Sequence, residues 1–178
     1  MYKYLLEIIK KMEGNVIGIG MDQKLLSGFN KNKKVNVYTI NSAPTNFGII
    51  STKKRKTNTG KIISIKKLYK YFKKRSNDYI ICNYKEVDAY LKYYIRDSVY
   101  INKKAIYLYG SKEDIDVDLL IKRYKRYNVS VDIKEFKENI LLILDTSNTK
   151  FSKIKNKFYY ISDTAYNFID FISNILVS

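Results

Sequence analysis

Apolar residues recur at helical spacing in several segments of the chain. Leu5, Ile8, Ile9 and Met12 stand at i, i+3, i+4 and i+7, which predicts an amphipathic opening helix that Gly14 ends. We predict further helices at about 23–29, 65–72, 87–98 and 117–124, and a last one that begins after residue 163. In the helix at 65–72, Tyr69 and Phe72 fall on the apolar side and are expected in the core, whereas Tyr71 faces the other way.

Short apolar runs between these helices predict strands. They cover about 16–20, 35–40, 79–82 and 105–109, with a turn at 102–104, and 158–161 is a further candidate. The runs at 129–136 and 140–144 are separated by only Lys137, Glu138 and Asn139. So short a connection predicts an antiparallel hairpin.

Helices and strands alternate through the first two-thirds of the chain, which predicts an α/β fold. We expect a Rossmann-like, mainly parallel sheet with helices on both faces and a C-terminal antiparallel hairpin. With 178 residues, 46% of them hydrophobic, the chain suits a single domain over 1–178. A segment rich in polar residues, at about 42–61, is predicted to be a mobile loop.

The charge is distributed unevenly. Net charge is +17, and no acid occurs from Gln23 to Asn77, a stretch that holds 15 Lys or Arg. A gene rich in A and T raises the lysine content of its protein. Because Asp and Glu codons are also available to such a gene, this codon bias does not readily explain an acid-free run of this length. The asymmetry favours RNA or another polyanion as a partner, with a solvated basic surface as the alternative.

Two residue types limit the chemistry. The chain has no histidine, so neither a Ser-His-Asp set nor the usual Cys and His zinc sites can form. Its single cysteine, Cys82, excludes an internal disulfide and is expected to be a buried apolar filler. The opening segment contains Glu7 and alternates apolar with charged residues, which favours neither a signal peptide nor a membrane span. We therefore expect a cytoplasmic protein without a membrane partner.

The segment Asp78-Tyr79-Ile80-Ile81-Cys82-Asn83-Tyr84 combines an acid, an apolar strand and a polar end. With the hairpin that ends the predicted sheet, it resembles the class I S-adenosylmethionine-dependent methyltransferases over about residues 1–145. In that family this region reads as the fourth strand and its active-site end. Asn83-Tyr84 is similar to the start of the Asn-Pro-Pro-Tyr type motif, so the resemblance implies that Asn83 and Tyr84 lie at the catalytic centre, where Asn83 positions the substrate. The alternative is that Asn83 only terminates a strand.

The segment Asn15-Val16-Ile17-Gly18-Ile19-Gly20-Met21-Asp22 resembles the family's glycine-rich cofactor turn. The resemblance implies S-adenosylmethionine bound near Gly18, Gly20 and Asp22, with Asn41 after the second strand as a partner for the ribose. The alternative is that the glycines only serve a tight strand-to-helix turn. In the family an acid commonly opens the glycine motif and another follows the second strand; here Val16 or Ile17 and Asn41 occupy those places.

A second set of candidates would follow a phosphate backbone, with an exposed tyrosine to stack a base. These nucleic-acid-binding candidates are Lys53, Lys54, Arg55, Lys56, Lys61, Lys70, Tyr71 and Lys74. The acids Glu113, Asp114, Asp116 and Asp118 precede and open a predicted helix, where carboxylates favour the positive end of the helix dipole, so we expect no metal site there.

The first functional hypothesis is a small S-adenosylmethionine-dependent methyltransferase that acts on RNA or another anionic substrate. The second is a protein of the same fold that has lost cofactor binding and binds nucleic acid or serves as a scaffold. The absence of acids at the two cofactor positions favours the second.

Overall fold

The computed structural model describes residues 1–40, 50–51 and 68–149. Residue contacts define a compact unit, Met1–Asn148, and a second unit, Thr149–Ser178, of which only Thr149 is among the described residues. The strand at 158–161 and the last helix, both predicted from sequence, lie outside the described residues. None of the described helices is long and apolar enough to cross a membrane.

The helices and strands follow the predicted alternation. The helices are α1 (Tyr2–Lys11), α2 (Gln23–Lys31), α3 (Leu68–Tyr71), α4 (Leu91–Ile101) and α5 (Val117–Lys125). The strands are β1 (Gly14–Ile19), β2 (Val35–Ile40), β3 (Ile50–Ser51), β4 (Asn77–Asn83), β5 (Asn102–Ser111), β6 (Ser130–Phe136) and β7 (Asn139–Asp145). Two short 3₁₀ turns, Tyr84–Glu86 and Asp88–Tyr90, connect β4 to α4.

The strands form one seven-stranded sheet in the order β3-β2-β1-β4-β5-β7-β6. The central strands β2, β1, β4 and β5 are mutually parallel, whereas β7 runs antiparallel to both β5 and β6. The predicted α/β class, parallel centre and C-terminal antiparallel hairpin are confirmed. A parallel sheet of this kind buries both faces under helices, which explains its continuous apolar strands.

Alternate residues of the central strands pack against different helices. On one face, Ile81 of β4 belongs to a cluster with Leu5 of α1 and Phe29 of α2. On the other face, fully buried Cys82 of β4 lies beside Tyr94 of α4. Helices therefore cover both faces of the sheet, as the sequence predicts. The ends of the strands lie at the two sheet edges between these helical layers.

Three local predictions are wrong. Residues 102–104, predicted as a turn, begin β5, because Asn102 pairs with Asn77 of β4 and its buried amide donates to Thr146 Oγ1 at 3.0 Å. The segment predicted as a loop contains β3, which pairs antiparallel with Tyr38 and Thr39. Tyr69, predicted in the core, is 45% exposed, because its ring lies against the Arg96 guanidinium of α4, 5.4 Å from the ring centre, and not among the buried side chains.

Arg75 connects the start of β4 to the segment after β7. It has a positive φ of 49°, and its guanidinium donates to the carbonyls of Lys103, Thr146 and Ser147 at 2.9 to 3.2 Å. The planar fork of the guanidinium suits several acceptors at once. This contact fixes where the chain leaves the sheet.

Candidate functional site

The register of the parallel strands brings the predicted site segments to one edge. Ile19 of β1 pairs with Ile40 of β2 and with Cys82 of β4. The next residues, Gly20 and Asn83, therefore stand side by side at the carboxyl end of the sheet, where neighbouring strands are about 4.8 Å apart. In open α/β sheets, ligands bind at this edge.

The turn after β1 has a backbone that favours glycine. Gly20 has φ +60°, in the left-handed region, and its N–H donates to the Ile40 carbonyl at 2.9 Å. From β5, the Tyr109 hydroxyl donates to the Gly20 carbonyl at 3.4 Å. Tyr109 is buried, and burial raises the pKa of its hydroxyl, so it remains a neutral donor. The turn is thus held by β2, which lies beside β1, and by β5, which lies on the far side of β4.

The other glycine of the motif, Gly18, lies within β1 under the side chain of Met21. A Cβ atom on Gly18 would overlap the methyl end of Met21 and lie 2.6 Å from its Sδ. Met21 itself is buried. Its unbranched side chain can adopt other rotamers, so this cover over Gly18 is adjustable.

Glu86 provides a carboxylate that the sequence reasoning missed. A Cβ atom on Gly20 would overlap Glu86 Cγ and lie 2.7 Å from Cδ, so this side chain lies directly on the glycine turn. Its Oε2 is buried and has no hydrogen-bond partner among the described residues. A buried acceptor without a donor is unusual and calls for an explanation. The site therefore holds an acid, although neither of the two family positions has one.

Asp22 has a structural role at this edge. Its carboxylate caps α2 by accepting the Leu25 N–H at 2.9 Å. It also accepts a hydrogen bond from the Tyr2 hydroxyl, and this bond, with burial and the negative charge, raises the pKa of Tyr2 to about 12. The first interaction caps α2, and the second connects its start to α1.

Asn83 and Tyr84 begin the 3₁₀ turn that carries Glu86. Asn83 Oδ1 accepts the Lys85 N–H at 3.2 Å, which leaves one lone pair of this carbonyl oxygen and the amide hydrogens for other partners. The Tyr84 hydroxyl donates to Asp88 Oδ1 at 3.0 Å. Burial and this hydrogen bond raise the pKa of Tyr84 to about 12. Tyr84 therefore stays protonated near neutrality and acts by holding the turn.

Cys82 is a buried filler, as the sequence predicts. It is fully buried, and burial raises the pKa of its thiol. A protonated thiol is a poor nucleophile. Covalent catalysis by Cys82 is therefore not supported by its surroundings.

The basic candidates are only partly described. Tyr71, at 39% exposure, and Lys74 lie on the surface in and just after α3, while only the backbone of Lys70 is described. The remaining basic candidates, Lys53, Lys54, Arg55, Lys56 and Lys61, lie outside the described residues, as does Asn41.

Two of the acids near α5 lie at the start of that helix. Asp116 accepts the Leu119 N–H at 2.9 Å, and Asp118 lies in the first turn. In the described ranges, no group of three or more acidic or cysteine side chains is arranged to hold a metal ion.

The tertiary structure adds residues that no sequence motif marked. Glu86 stands three residues after Asn83, so its place in the turn was a usable signal. Tyr2 and Tyr109 are distant in sequence from the glycines, and no local pattern singled them out among 18 tyrosines.

Comparison with known proteins supports the fold. No protein-family model and no curated protein matches this sequence. An O-methyltransferase family protein from Burkholderia thailandensis is similar over 80% of this chain and 55% of its own, with a TM-score of 0.53 and 9% identity. The chain thus spans about half the length of that protein.

Two further solved structures are similar with lower TM-scores. A methyltransferase from Pyrococcus furiosus has a TM-score of 0.45 at 12% identity over 81% of this chain and 80% of its own. A release-factor-specific protein-(glutamine-N5) methyltransferase from Alicyclobacillus acidocaldarius has a TM-score of 0.46 at 9% identity over 80% and 88%. Sheet order and the first comparison together establish a class I methyltransferase-like fold for this chain.

Proposed function

We propose that this chain, whose fold is that of the class I methyltransferases, binds S-adenosylmethionine against Gly20 and Glu86 and transfers its methyl group to RNA or another anionic substrate. The observation that carries the proposal is the buried Oε2 of Glu86 on the glycine turn, which has no hydrogen-bond partner in the part of the chain that the structure describes. Leaving such an oxygen without a donor costs about 1–3 kcal/mol, and more when it is charged. A ligand that donates to it would recover this free energy.

The residues of the edge fit the polar groups of this cofactor. S-adenosylmethionine carries an ammonium group and two ribose hydroxyls, and each can donate to a carboxylate. The family's usual acids are absent at Val16, Ile17 and Asn41. Glu86 would supply the negative charge from the turn after β4 instead. Binding requires the side chains of Glu86 and Met21 to move off the glycines, and both are flexible.

The chain's own residues would position the substrate and would not need to gain or lose a proton. When bound, the cofactor supplies a methyl group activated by a sulfonium. Asn83 would accept a hydrogen bond from the substrate through its free lone pair and orient the attacking atom. Tyr84 and Asp88 would hold the turn that carries Asn83 and Glu86. No group with a pKa near neutrality is needed for this transfer.

The test is calorimetric titration of the full chain with S-adenosylmethionine and S-adenosylhomocysteine. We expect saturable binding that Glu86→Gln weakens about 10- to 100-fold, because hydrogen bonds to charged groups contribute about 1.5–3 kcal/mol. Glu138→Gln is the matched control, since Glu138 is an exposed acid in the β6–β7 turn. If the wild-type chain gives no heat, or if both variants bind as tightly as wild type, the proposal is wrong.

A second candidate function is a nucleic-acid-binding protein that has lost the cofactor. The positions of Met21 over Gly18 and of Glu86 over Gly20 favour it. This alternative predicts that the chain binds RNA but binds neither S-adenosylmethionine nor S-adenosylhomocysteine. Measuring both ligands on the same preparation separates the two functions.

A further inference from the structure

A basic groove lies between α1 and α2, and its lining includes none of the candidate site residues described above. It has a volume of about 370 Å³. Four exposed lysines line it, and Leu6 of α1 reaches across to Gly28 of α2, where a Cβ atom would lie 2.5 Å from Leu6 Cδ2. The lysines are Lys3, Lys10, Lys24 and Lys31.

The lysines have a regular arrangement. Lys3 and Lys10 are seven residues apart on α1, and Lys24 and Lys31 are seven apart on α2. Seven residues make about two helical turns, so each pair shares one side of its helix, with its Cα atoms about 10.5 Å apart. Two lysine pairs therefore border the groove, one on each helix.

Only one acid, Glu7, is among the residues that line the groove. Its carboxylate pairs with Lys10 at 2.7 Å, and this contact lowers the pKa of Glu7. The Lys24 ammonium lies 5.5 Å from the ring centre of Tyr2, which helps to place it at the groove. The groove therefore carries a net positive charge.

We propose that the groove between α1 and α2 binds the phosphate backbone of single-stranded nucleic acid. Charge complementarity favours a polyanion, and the concave shape favours a flexible strand over a flat lipid surface, which would not reach Leu6 and Gly28 at its floor. The residues that line the groove do not include Gly20, Asn83 or Glu86, so the proposal does not require cofactor binding. The groove also differs from the acid-free stretch between Gln23 and Asn77, because two of its lysines, Lys3 and Lys10, precede that stretch.

The experiment is fluorescence anisotropy of a labelled oligouridylate with the full chain, without cofactor, over a range of salt concentrations. In single strands each phosphate contact contributes about 0.7 to the slope of log affinity against log salt, which is about 5-fold in affinity at 0.1 M salt. We expect Lys24→Gln/Lys31→Gln to lower affinity about 25-fold and the slope by about 1.4. Glu7→Gln should raise affinity by up to about 5-fold, because it frees Lys10.

The matched control is Lys122→Gln/Lys125→Gln on α5. It also removes two positive charges, and Lys125, like Lys31, lies in the last turn of its helix. The proposal expects this control to bind like wild type. Equal losses in both double variants, an unchanged slope in the groove variant, or no binding by the wild-type chain would each overturn it. The proposal would also be overturned if Lys24→Gln/Lys31→Gln lost binding to phosphatidylserine vesicles but bound the oligonucleotide like wild type, because this result would assign the groove to lipid.

Discussion

Replacing Gly20 with alanine tests the geometry of the glycine turn. Gly20 has φ +60°, a conformation that costs a residue with a Cβ atom about 1–2 kcal/mol. The new methyl group would also overlap Glu86 Cγ, so Glu86 must leave its rotamer, at about 0.5–1.5 kcal/mol. We expect Gly20→Ala to lower the free energy of unfolding by about 2–3 kcal/mol.

The two contributions can be separated by a double-mutant cycle. Glu86→Ala removes the side chain that the new methyl group meets but leaves the backbone conformation of Gly20 unchanged. In that background Gly20→Ala should cost only about 1–2 kcal/mol, which gives a coupling energy of about 1 kcal/mol. Gly18→Ala is the control, because Gly18 lacks a positive φ and only the flexible Met21 side chain must move.

Urea unfolding followed by far-ultraviolet circular dichroism measures these differences. With slopes of about 1–3 kcal/mol per molar urea, the loss for Gly20→Ala shifts the midpoint by about 1 M or more. A Gly20→Ala variant within about 0.5 kcal/mol of wild type would refute the conformational argument. A cycle without coupling would refute the contact between position 20 and Glu86.

Three further predictions concern other contacts. Arg75→Ala should lower the free energy of unfolding by about 2 kcal/mol in urea titrations, because three carbonyls lose a charged donor. Cys82 should resist a thiol reagent at pH 8 until urea unfolds the chain, because it is fully buried with a raised pKa. Burial raises the pKa of Asp97 above 3.8 despite its pairing with Arg96. Its contribution to folding is therefore complete below the unfolded pKa and is lost as the pH rises through the folded pKa, a slope that Asp97→Asn should flatten.

Each of these has a clear opposing result. Arg75→Lys keeps the charge without the fork, so full stability in that variant would contradict the role given to the guanidinium. Rapid labelling of Cys82 in the folded chain would contradict its burial. An Asp97→Asn variant with the wild-type pH profile of stability would show that Asp97 titrates normally.

Much of the architecture follows from the sequence because it depends on local periodicity. The apolar spacing of α1 and α5 and the continuous run of β4 specify their type without reference to the rest of the chain. The short connection between β6 and β7 predicts the hairpin for the same local reason. Where neighbours in space decide, the sequence misleads. Asn102 extends β5 because β4 lies beside it, and Tyr69 lies against Arg96 of α4 at the surface instead of in the core.

The sequence by itself determined the α/β class, the glycine turn and the excess of positive charge, because these are properties of spacing and composition. Only the tertiary structure placed the Glu86 carboxylate on Gly20 and paired lysines of α1 with lysines of α2 across one groove. The physical reason is that both arrangements join residues from separate elements. Their distances are set by how strands pair and helices pack, which no local pattern in the chain records.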